Sequence, residues 1–224
     1  MEIGTSIHLP FEESIFDYHY LGKDENHQNL LLFAAQKEVV DSYVEVCEYA
    51  KLVPKVMDSS SLSLYRLYDK YLLSTEENLL IIGFDLKAVS LSFFEGTIPT
   101  YIRQFTLDTD LVKWDAVDLV RNNQLTFQFI GENKDITVEF SDALDEIQKV
   151  MSFYQYSMSK EQRKVTKIIL TGDHPDLLIV EQLLKTRVGE PIELMDIKNQ
   201  VKGLDKYDAN SLSLNIGLSL KEVK

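Results

Sequence analysis

A short kink between two apolar runs is the first candidate for chemistry in this chain. The segment NLLIIGFDLKAVSLSFFEG, residues 78–96, has the strand–turn–strand pattern of a phosphate loop in an ATP-binding fold. In its turn, Asp85 could hold Mg²⁺ and Lys87 could hold a phosphate group. Such a loop usually has an acidic residue before the turn and a glycine within it, whereas here Gly83 precedes Asp85. This order favours the alternative interpretation, an ordinary hairpin turn exposed to water.

A second candidate follows the apolar run VTKIILT. The chain continues GDHPDL, and Gly172 could contact an adenosine at this turn between a strand and a helix. The favoured alternative is that the glycine serves only the backbone geometry of the turn. The four histidines are scattered, without partners at ligand spacing, so the sequence predicts no metal site. It also contains no G-x-S-x-G, Walker A or H-E-x-x-H motif.

The overall charge excludes several classes of partner. The 224-residue chain has 23 basic and 36 acidic residues, for a net charge of −13. Such a chain repels phosphate backbones and anionic lipids, so we expect it to bind neither nucleic acid nor a membrane surface. Its single cysteine, Cys47, cannot form an intramolecular disulfide, which fits a reducing cytoplasm. No apolar run is long enough to cross a bilayer, and residues 1–14 lack signal-peptide features.

Hydrophobic periodicity predicts an α+β arrangement for the first part of the chain. Alternation over residues 14–21, a polar turn and the apolar run NLLLFAAQ predict a β-hairpin. The segment KEVVDSYVEVCEYAKL predicts an amphipathic helix with its apolar residues facing inward. A short strand is expected in LVPKVMD. A helix is expected in SSSLSLYRLYDKYLL, with Asp58 or Ser59 as its cap.

The second part of the chain predicts an α/β domain. After the acidic stretch STEEN come three β segments, and then a hairpin in QLTFQFIGENKDITVEF around GENKD. A long amphipathic helix in SDALDEIQKVMSFYQYSM, a buried strand, a helix starting near Pro175, a strand in PIELMD and a last short helix complete the pattern. We predict two domains, residues 1–75 and 76–224, with a smaller subdomain at about 108–140 in the second.

Several stretches, taken in order, resemble one protein family. The most specific are LPFEESIFDYHYLG and AAQKEVVDSYVEVCEYAKLVPKVMDSSSLSLYR, and LLIIGFDLKAVSLSFFEG, VTKIILTGDHPDLLIVEQLL and SLNIGLSL follow them. Together they resemble PilM, the actin-like cytoplasmic protein of type IV pilus assembly, a relative of the division protein FtsA. The resemblance implies an actin-like, ribonuclease-H-like α/β domain after a partial α+β subdomain of the 1A/1C type. Residues 1–75 would hold the 1C-like subdomain with the last strand and helix of subdomain 1A.

Two departures from the PilM pattern concern nucleotide binding. Family members begin with a further segment that contains a first phosphate loop, and we expect this chain to start inside subdomain 1C. The family's second phosphate loop reads roughly DIG. Aligned on Gly96, those three places hold Gly83, Phe84 and Asp85. The acidic residue that organises Mg²⁺ has become a glycine, and a negative charge stands where the backbone should approach phosphate.

The adenosine turn departs from the family as well. The family's double glycine reads Gly172-Asp173 in this sequence. We therefore expect no bound cofactor, with ATP and Mg²⁺ as the alternative. The residues that the resemblance would assign to a nucleotide are Gly83, Asp85, Lys87, Gly172 and Asp173.

The resemblance implies a non-enzymatic cytoplasmic scaffold in a type IV pilus or competence-pseudopilus assembly platform. Family members bind the N-terminal cytoplasmic peptide of the membrane protein PilN between subdomains 1A and 1C. The residues nearest that groove would lie in LPFEESIFDY and NLLLFAAQK. Such a scaffold would reach the inner face of the cell membrane through its partner. A pilus motor ATPase is a further expected partner, and self-association stays open.

Two enzymatic alternatives remain. The first is an active actin-like ATPase, in which ATP controls partner binding or polymerisation. Gly83, Asp85 and Asp173 argue against this activity. The second is a sugar-kinase-like enzyme of the same superfamily. It would need a catalytic aspartate in a sugar pocket, and the sequence offers no candidate.

Overall fold

The computed structural model describes residues 13–23, 27–72, 78–119, 124–158, 164–198, 200–201 and 209–222. They divide into two compact units, one ending at Met57 and the other running from Asp58 to Glu222. The sequence placed the boundary one helix later, after residue 75. That helix, at residues 60–72, instead belongs to the second unit, because its buried side chains join a hydrophobic core of that unit.

The first unit is a β-hairpin followed by a helix, in the order that its periodicity predicts. Strand β1 (Ser14–Lys23) pairs antiparallel with β2 (Gln28–Gln36), and helix α1 (Lys37–Tyr49) follows directly. Most side chains of β1 are exposed, and Val40 is the one buried residue of α1. The expected inward face of the helix is therefore largely exposed.

The strand predicted in LVPKVMD is wrong. Residues 51–59 form neither a helix nor a strand. Pro54 has no N–H to donate to a β-ladder, and the side chains of Leu52, Val53 and Met57 lie exposed. Apolar and β-branched residues favour a strand where they pack against neighbours, and the exposed side chains of this segment are not packed in that way.

The second unit is built on a mixed sheet with a separate hairpin beside it. Its strands are β3 (Asn78–Phe84), β4 (Ala88–Glu95), β5 (Ile98–Thr106), β6 (Trp114–Leu119), β7 (Gln124–Phe129), β8 (Lys167–Thr171) and β9 (Ile192–Leu194). Five of them form a sheet in the order β5-β4-β3-β8-β9, in which β3 runs antiparallel to β4 and parallel to β8. Strands β6 and β7 pair only with each other within the described residues.

Helices cover both faces of the five-stranded sheet. They are α2 (Ser60–Leu72), α3 (Asn133–Phe153), α4 (Leu177–Lys185) and α5 (Ala209–Ser219). Alternate residues of β3 enter two different cores: Leu80 and Ile82 pack with α3 and α4, whereas Leu79 and Ile81 pack with α2 and α5. A strand covered on both faces has a continuous apolar sequence, as NLLIIGF does. Within the described ranges, no helix is long and apolar enough to span a membrane.

The predicted hairpin around GENKD is wrong in its second half. The run QLTFQF does form strand β7, but β7 pairs with the preceding strand β6. The following run, ITVEF, lies inside helix α3. Phe140, Leu144 and Ile147 are all fully buried and lie three or four residues apart, so the helical stripe that they form outweighs the local alternation.

Helix α2 begins directly after Ser59, one of the two residues predicted as its cap, and Asp58, the other, has a different role. The carbonyl of Ser59 accepts the first helical hydrogen bond, from the N–H of Ser63 at 3.0 Å. The carboxylate of Asp58, which is 2% exposed, instead forms ion pairs with Arg66 and with Lys221, the latter at 3.1 Å. These contacts connect the start of α2 to the segment after α5.

Candidate functional site

The two candidate nucleotide turns lie at the same edge of the sheet. Strands β3 and β8 are parallel neighbours in a register that pairs Gly83 with Thr171. The turn after β3 and the turn after β8 therefore emerge side by side, at the carboxyl ends of their strands. In α/β folds this edge is where ligands bind. The structure thus brings Gly83, Asp85, Gly172 and Asp173 together, although 88 residues separate the two aspartates along the chain.

The two turns are joined by reciprocal hydrogen bonds. The backbone N–H of Asp173 donates to Oδ1 of Asp85 at 3.1 Å. In return, the N–H of Leu86 donates to Oδ1 of Asp173 at 3.4 Å. A third bond runs from the N–H of His174 to the carbonyl of Phe84 at 3.3 Å. Each carboxylate is therefore used to hold the neighbouring turn.

The glycine at position 172 is explained by this close approach. Its φ is +133°, a conformation that residues with a side chain rarely adopt. A Cβ atom at this position would also collide with the carbonyl group of Phe84. The turn therefore requires glycine whether or not a ligand is bound.

The electrostatics of the paired turns disfavour a phosphate group. The pKa of Asp85 is raised above its ordinary value, chiefly because surrounding protein atoms displace water from its carboxylate and further because Asp173 is negatively charged. Lys87, the candidate phosphate ligand, is exposed, and the hydrogen bonds of the two aspartates described above do not involve it. Two carboxylates without a compensating cation would repel an anionic ligand.

A buried histidine lies directly behind the turns, and sequence reasoning did not single it out. His174 is 3% exposed, and its ring meets the rings of Phe84, Phe140 and Trp114 edge-on at 5.5, 5.1 and 5.1 Å. Its Nδ1 accepts a hydrogen bond from the N–H of Asp176, while Nε2 has no hydrogen-bond partner among the described residues. Burial lowers the pKa of His174 to about 4, so the ring is neutral near pH 7. The only sequence signal was its place after a buried strand.

A different candidate site lies in the first unit. One face of the β1–β2 hairpin carries apolar side chains that are exposed or half-buried. On β1 they alternate, and each stands opposite an apolar residue of β2. We call the following set the hairpin apolar face: Phe16, Tyr18, Tyr20, Leu30, Leu32 and Ala34. Of the stretch LPFEESIFDY predicted to lie near a partner, residues 9–12 are outside the described residues.

Exposed apolar side chains continue onto helix α1. Tyr43, Val46 and Tyr49 are 69%, 65% and 82% exposed. Cys47, on the same helix, is a half-buried free thiol. Contiguous exposed apolar surface of this kind is typical of protein–protein contact. Among the residues that the structure describes, no group of three or more histidine, cysteine or acidic side chains could hold a metal ion.

Comparisons with known proteins bear on the fold. No family model matches the sequence, and no curated protein matches it. Among solved structures, the PilM chain of a PilM–PilN type IV pilus biogenesis complex overlays 96% of this chain and 69% of its own, at 19% identity and a TM-score of 0.72. The fold expected from the sequence, the α/β fold of PilM, is thereby confirmed. The sequence motifs of this chain resemble the same protein, PilM.

Two further solved structures are more distant. A Bacteroides thetaiotaomicron protein, described as having an actin-like ATPase fold and unknown function, is 15% identical over 96% of this chain and 62% of its own, with a TM-score of 0.46. A Ppx/GppA phosphatase from Aquifex aeolicus is 11% identical over 94% and 88%, with a TM-score of 0.30.

Proposed function

We propose that this chain is a non-enzymatic scaffold of a type IV pilus or competence-pseudopilus assembly platform. In this role it binds the cytoplasmic N-terminal peptide of a PilN-like membrane protein and is held at the inner face of the membrane by that partner. The observation that carries the proposal is the structural overlay on PilM over 96% of the chain. The solved PilM comes from a complex with PilN.

The hairpin apolar face offers the surface that such a peptide needs. Strands β1 and β2 pair only with each other among the described strands, so each keeps one edge without a neighbouring strand. An extended peptide can add to such an edge through main-chain hydrogen bonds, while its side chains enter apolar pockets. Phe16, Tyr18 and Tyr20 are 49%, 59% and 50% exposed and supply aromatic contact area.

The paired turns support the non-enzymatic part of the proposal. An actin-like ATPase needs a carboxylate to organise Mg²⁺ and a backbone that approaches phosphate. Here Asp85 and Asp173 each accept a hydrogen bond from the opposite turn, and the two carboxylates are close enough to repel each other. The proposed scaffold therefore inherits its fold from nucleotide-binding relatives without using nucleotide.

The test is a titration of a fluorescently labelled N-terminal peptide of the PilN-like protein, followed by anisotropy. The chain should bind the peptide saturably. Replacing Tyr18 and Phe16 by serine should weaken binding by at least about tenfold, because aromatic anchors carry most of the binding free energy in such interfaces. The matched control is Leu178→Ser, which removes a 63% exposed leucine from α4 of the second unit and should leave the affinity unchanged.

One outcome separates this function from its main alternative. The convergence of Gly83, Asp85, Gly172 and Asp173 at one sheet edge is the observation that favours a nucleotide-binding actin-like ATPase. Under that alternative, Mg-ATP should raise the melting temperature, because a ligand that binds only the folded state stabilises it. Absence of peptide binding together with a clear Mg-ATP shift would replace the scaffold proposal by the ATPase.

A further inference from the structure

A cavity in the second unit is not part of the paired turns or of the hairpin apolar face. It has a volume of about 610 Å³, which is within the size range of ligand-binding pockets. It lies between the end of β5, the β6–β7 hairpin and helix α3. All of its lining residues are within the described part of the second unit.

The floor of this cavity is aromatic. Phe105, Trp114 and Phe129 line it, and the rings of Trp114 and Phe129 pack edge-on at a centroid distance of 5.2 Å. Trp114 is held from behind by its contact with the ring of His174 at 5.1 Å. Rings fixed in this way form a rigid platform for an apolar or planar group.

The rim of the cavity is acidic. Four carboxylates line it, from Asp108, Asp110, Asp142 and Glu146, against one basic side chain, Lys113. Asp110 is partly used, because its Oδ1 accepts the N–H of Val112 at 3.2 Å, and Glu146 forms a weak ion pair with Lys149 at 3.4 Å. Asp108 and Asp142 are both exposed at the mouth.

Apolar side chains adjoin the acidic rim. Val112 is 84% exposed and directly precedes the lining residue Lys113. Ile130 is 62% exposed, and its N–H donates to the carbonyl of Lys113 at 2.8 Å. Val138, 58% exposed, is itself a lining residue. A complementary ligand therefore needs a positive charge, a planar apolar surface and apolar neighbours.

From this combination we infer that the cavity binds an arginine-bearing, otherwise apolar segment of a partner protein. A guanidinium group stacks on aromatic rings and pairs with carboxylates, and it does both better than a lysine ammonium. The flanking apolar side chains of the segment cover Val112, Ile130 and Val138. The inference concerns a second surface and does not depend on the proposed PilN-like contact in the first unit.

The chain provides its own reporter for a test, because Trp114 is its single tryptophan and lines the cavity. The probe is the peptide acetyl-Leu-Arg-Leu-Arg-Leu-amide, titrated into the full chain while tryptophan fluorescence is followed. The reference probe is the same peptide with citrulline, a neutral isostere, in place of arginine. We expect a saturable change with the arginine peptide and at least tenfold weaker binding of the citrulline peptide.

Matched variants locate the binding site. Asp108→Asn combined with Asp142→Asn should weaken binding by roughly tenfold, since an exposed ion pair contributes up to about fivefold. Asp115→Asn removes the same charge from the opposite face of β6, next to Trp114, and should change the affinity less than about twofold. The inference is overturned by no saturable binding, by equal binding of both peptides, or by equal losses in the double variant and the control.

Discussion

The N–H of Asp173 donates a 3.1 Å hydrogen bond to Oδ1 of Asp85, so that one of the two candidate nucleotide turns is bonded to the other. The return bond from the N–H of Leu86 completes the connection. A site for ATP would keep these groups available for Mg²⁺ and phosphate. These two hydrogen bonds between the turns are therefore a structural reason for the proposed absence of enzymatic activity.

The first prediction concerns Asp85→Asn. The asparagine side chain can still accept the hydrogen bond from Asp173, but the repulsion between two carboxylates is gone. Because the pKa of Asp85 is raised in the folded state, its contribution to stability is fully present below the unfolded pKa of 3.8 and is lost as pH rises through the folded pKa. The variant should therefore gain stability relative to the wild type as pH rises from about 4 to 7.

Urea unfolding at several pH values measures this difference. The comparison is between the two proteins at each pH, which cancels the titration of all other groups. If the free energy of unfolding of the wild type rises relative to that of the variant as pH increases, the raised pKa of Asp85 and the inferred repulsion are contradicted.

The second prediction concerns His174, whose folded pKa of about 4 lies below its ordinary value of 6.5. In the unfolded chain the ring takes up a proton near pH 6.5, so the folded state should lose stability as pH falls from about 6.5 to 4. The loss is on the order of 3 kcal/mol for a shift of this size in a buried ring. His174→Phe, which keeps an aromatic ring among Phe84, Phe140 and Trp114, should remove this part of the pH dependence.

The matched control for His174 is His19→Phe, at a position exposed on β1. Both variants are followed by urea unfolding between pH 4 and 7. If His174→Phe keeps the acid sensitivity of the wild type, the neutral buried ring is not its source.

The third prediction concerns the ion pairs of Asp58. Asp58→Ala leaves Arg66 and Lys221 without their carboxylate and should lower the free energy of unfolding by about 3 kcal/mol, as for other buried pairs that lose one partner. Asp41→Ala, which breaks the exposed pair with Lys37, is the control and should have little effect. Equal losses in the two variants would show that burial of Asp58 does not strengthen its contacts.

The fourth prediction concerns the contact between α2 and α5. A Cβ atom at Gly217 would collide with the carbonyl group of Ser63, so Gly217→Ala should cost about 1–3 kcal/mol of stability by overpacking. The same substitution at Gly189 is the control and should be tolerated, because apart from its chain neighbours no described residue has an atom within 4 Å of the added Cβ. Thermal unfolding measures the difference: the Gly217 variant should melt at a lower temperature than the Gly189 variant. Equal melting temperatures would contradict the close contact between α2 and α5.

The sequence predicted the elements that have long, one-sided periodicity. Examples are the buried strand NLLIIGF, the helical stripe through Leu144 and Ile147, and the helix predicted to start near Pro175, all of which the structure contains. The actin-like fold followed from the motif order and is confirmed by the overlay on PilM. The assignment of residues 136–140 to a strand was wrong because a local alternation of five residues also fits the first turns of α3.

Only part of the candidate site could be predicted from the sequence. The proximity of Gly83 and Gly172 follows once two strands are taken as parallel neighbours. The reciprocal bonding of Asp85 and Asp173 does not follow, because it depends on which way two turns bend. The packing of Trp114 against His174 is a contact between residues 60 positions apart, and no local pattern encodes it.

The measurement that tests the central claim most directly is the affinity for the PilN-like peptide with and without Mg-ATP. We expect saturable binding with the same dissociation constant in both conditions, because in our proposal the paired turns bind no nucleotide and the hairpin apolar face is already exposed. Peptide binding that requires Mg-ATP, or that changes tenfold with it, would contradict a nucleotide-independent scaffold.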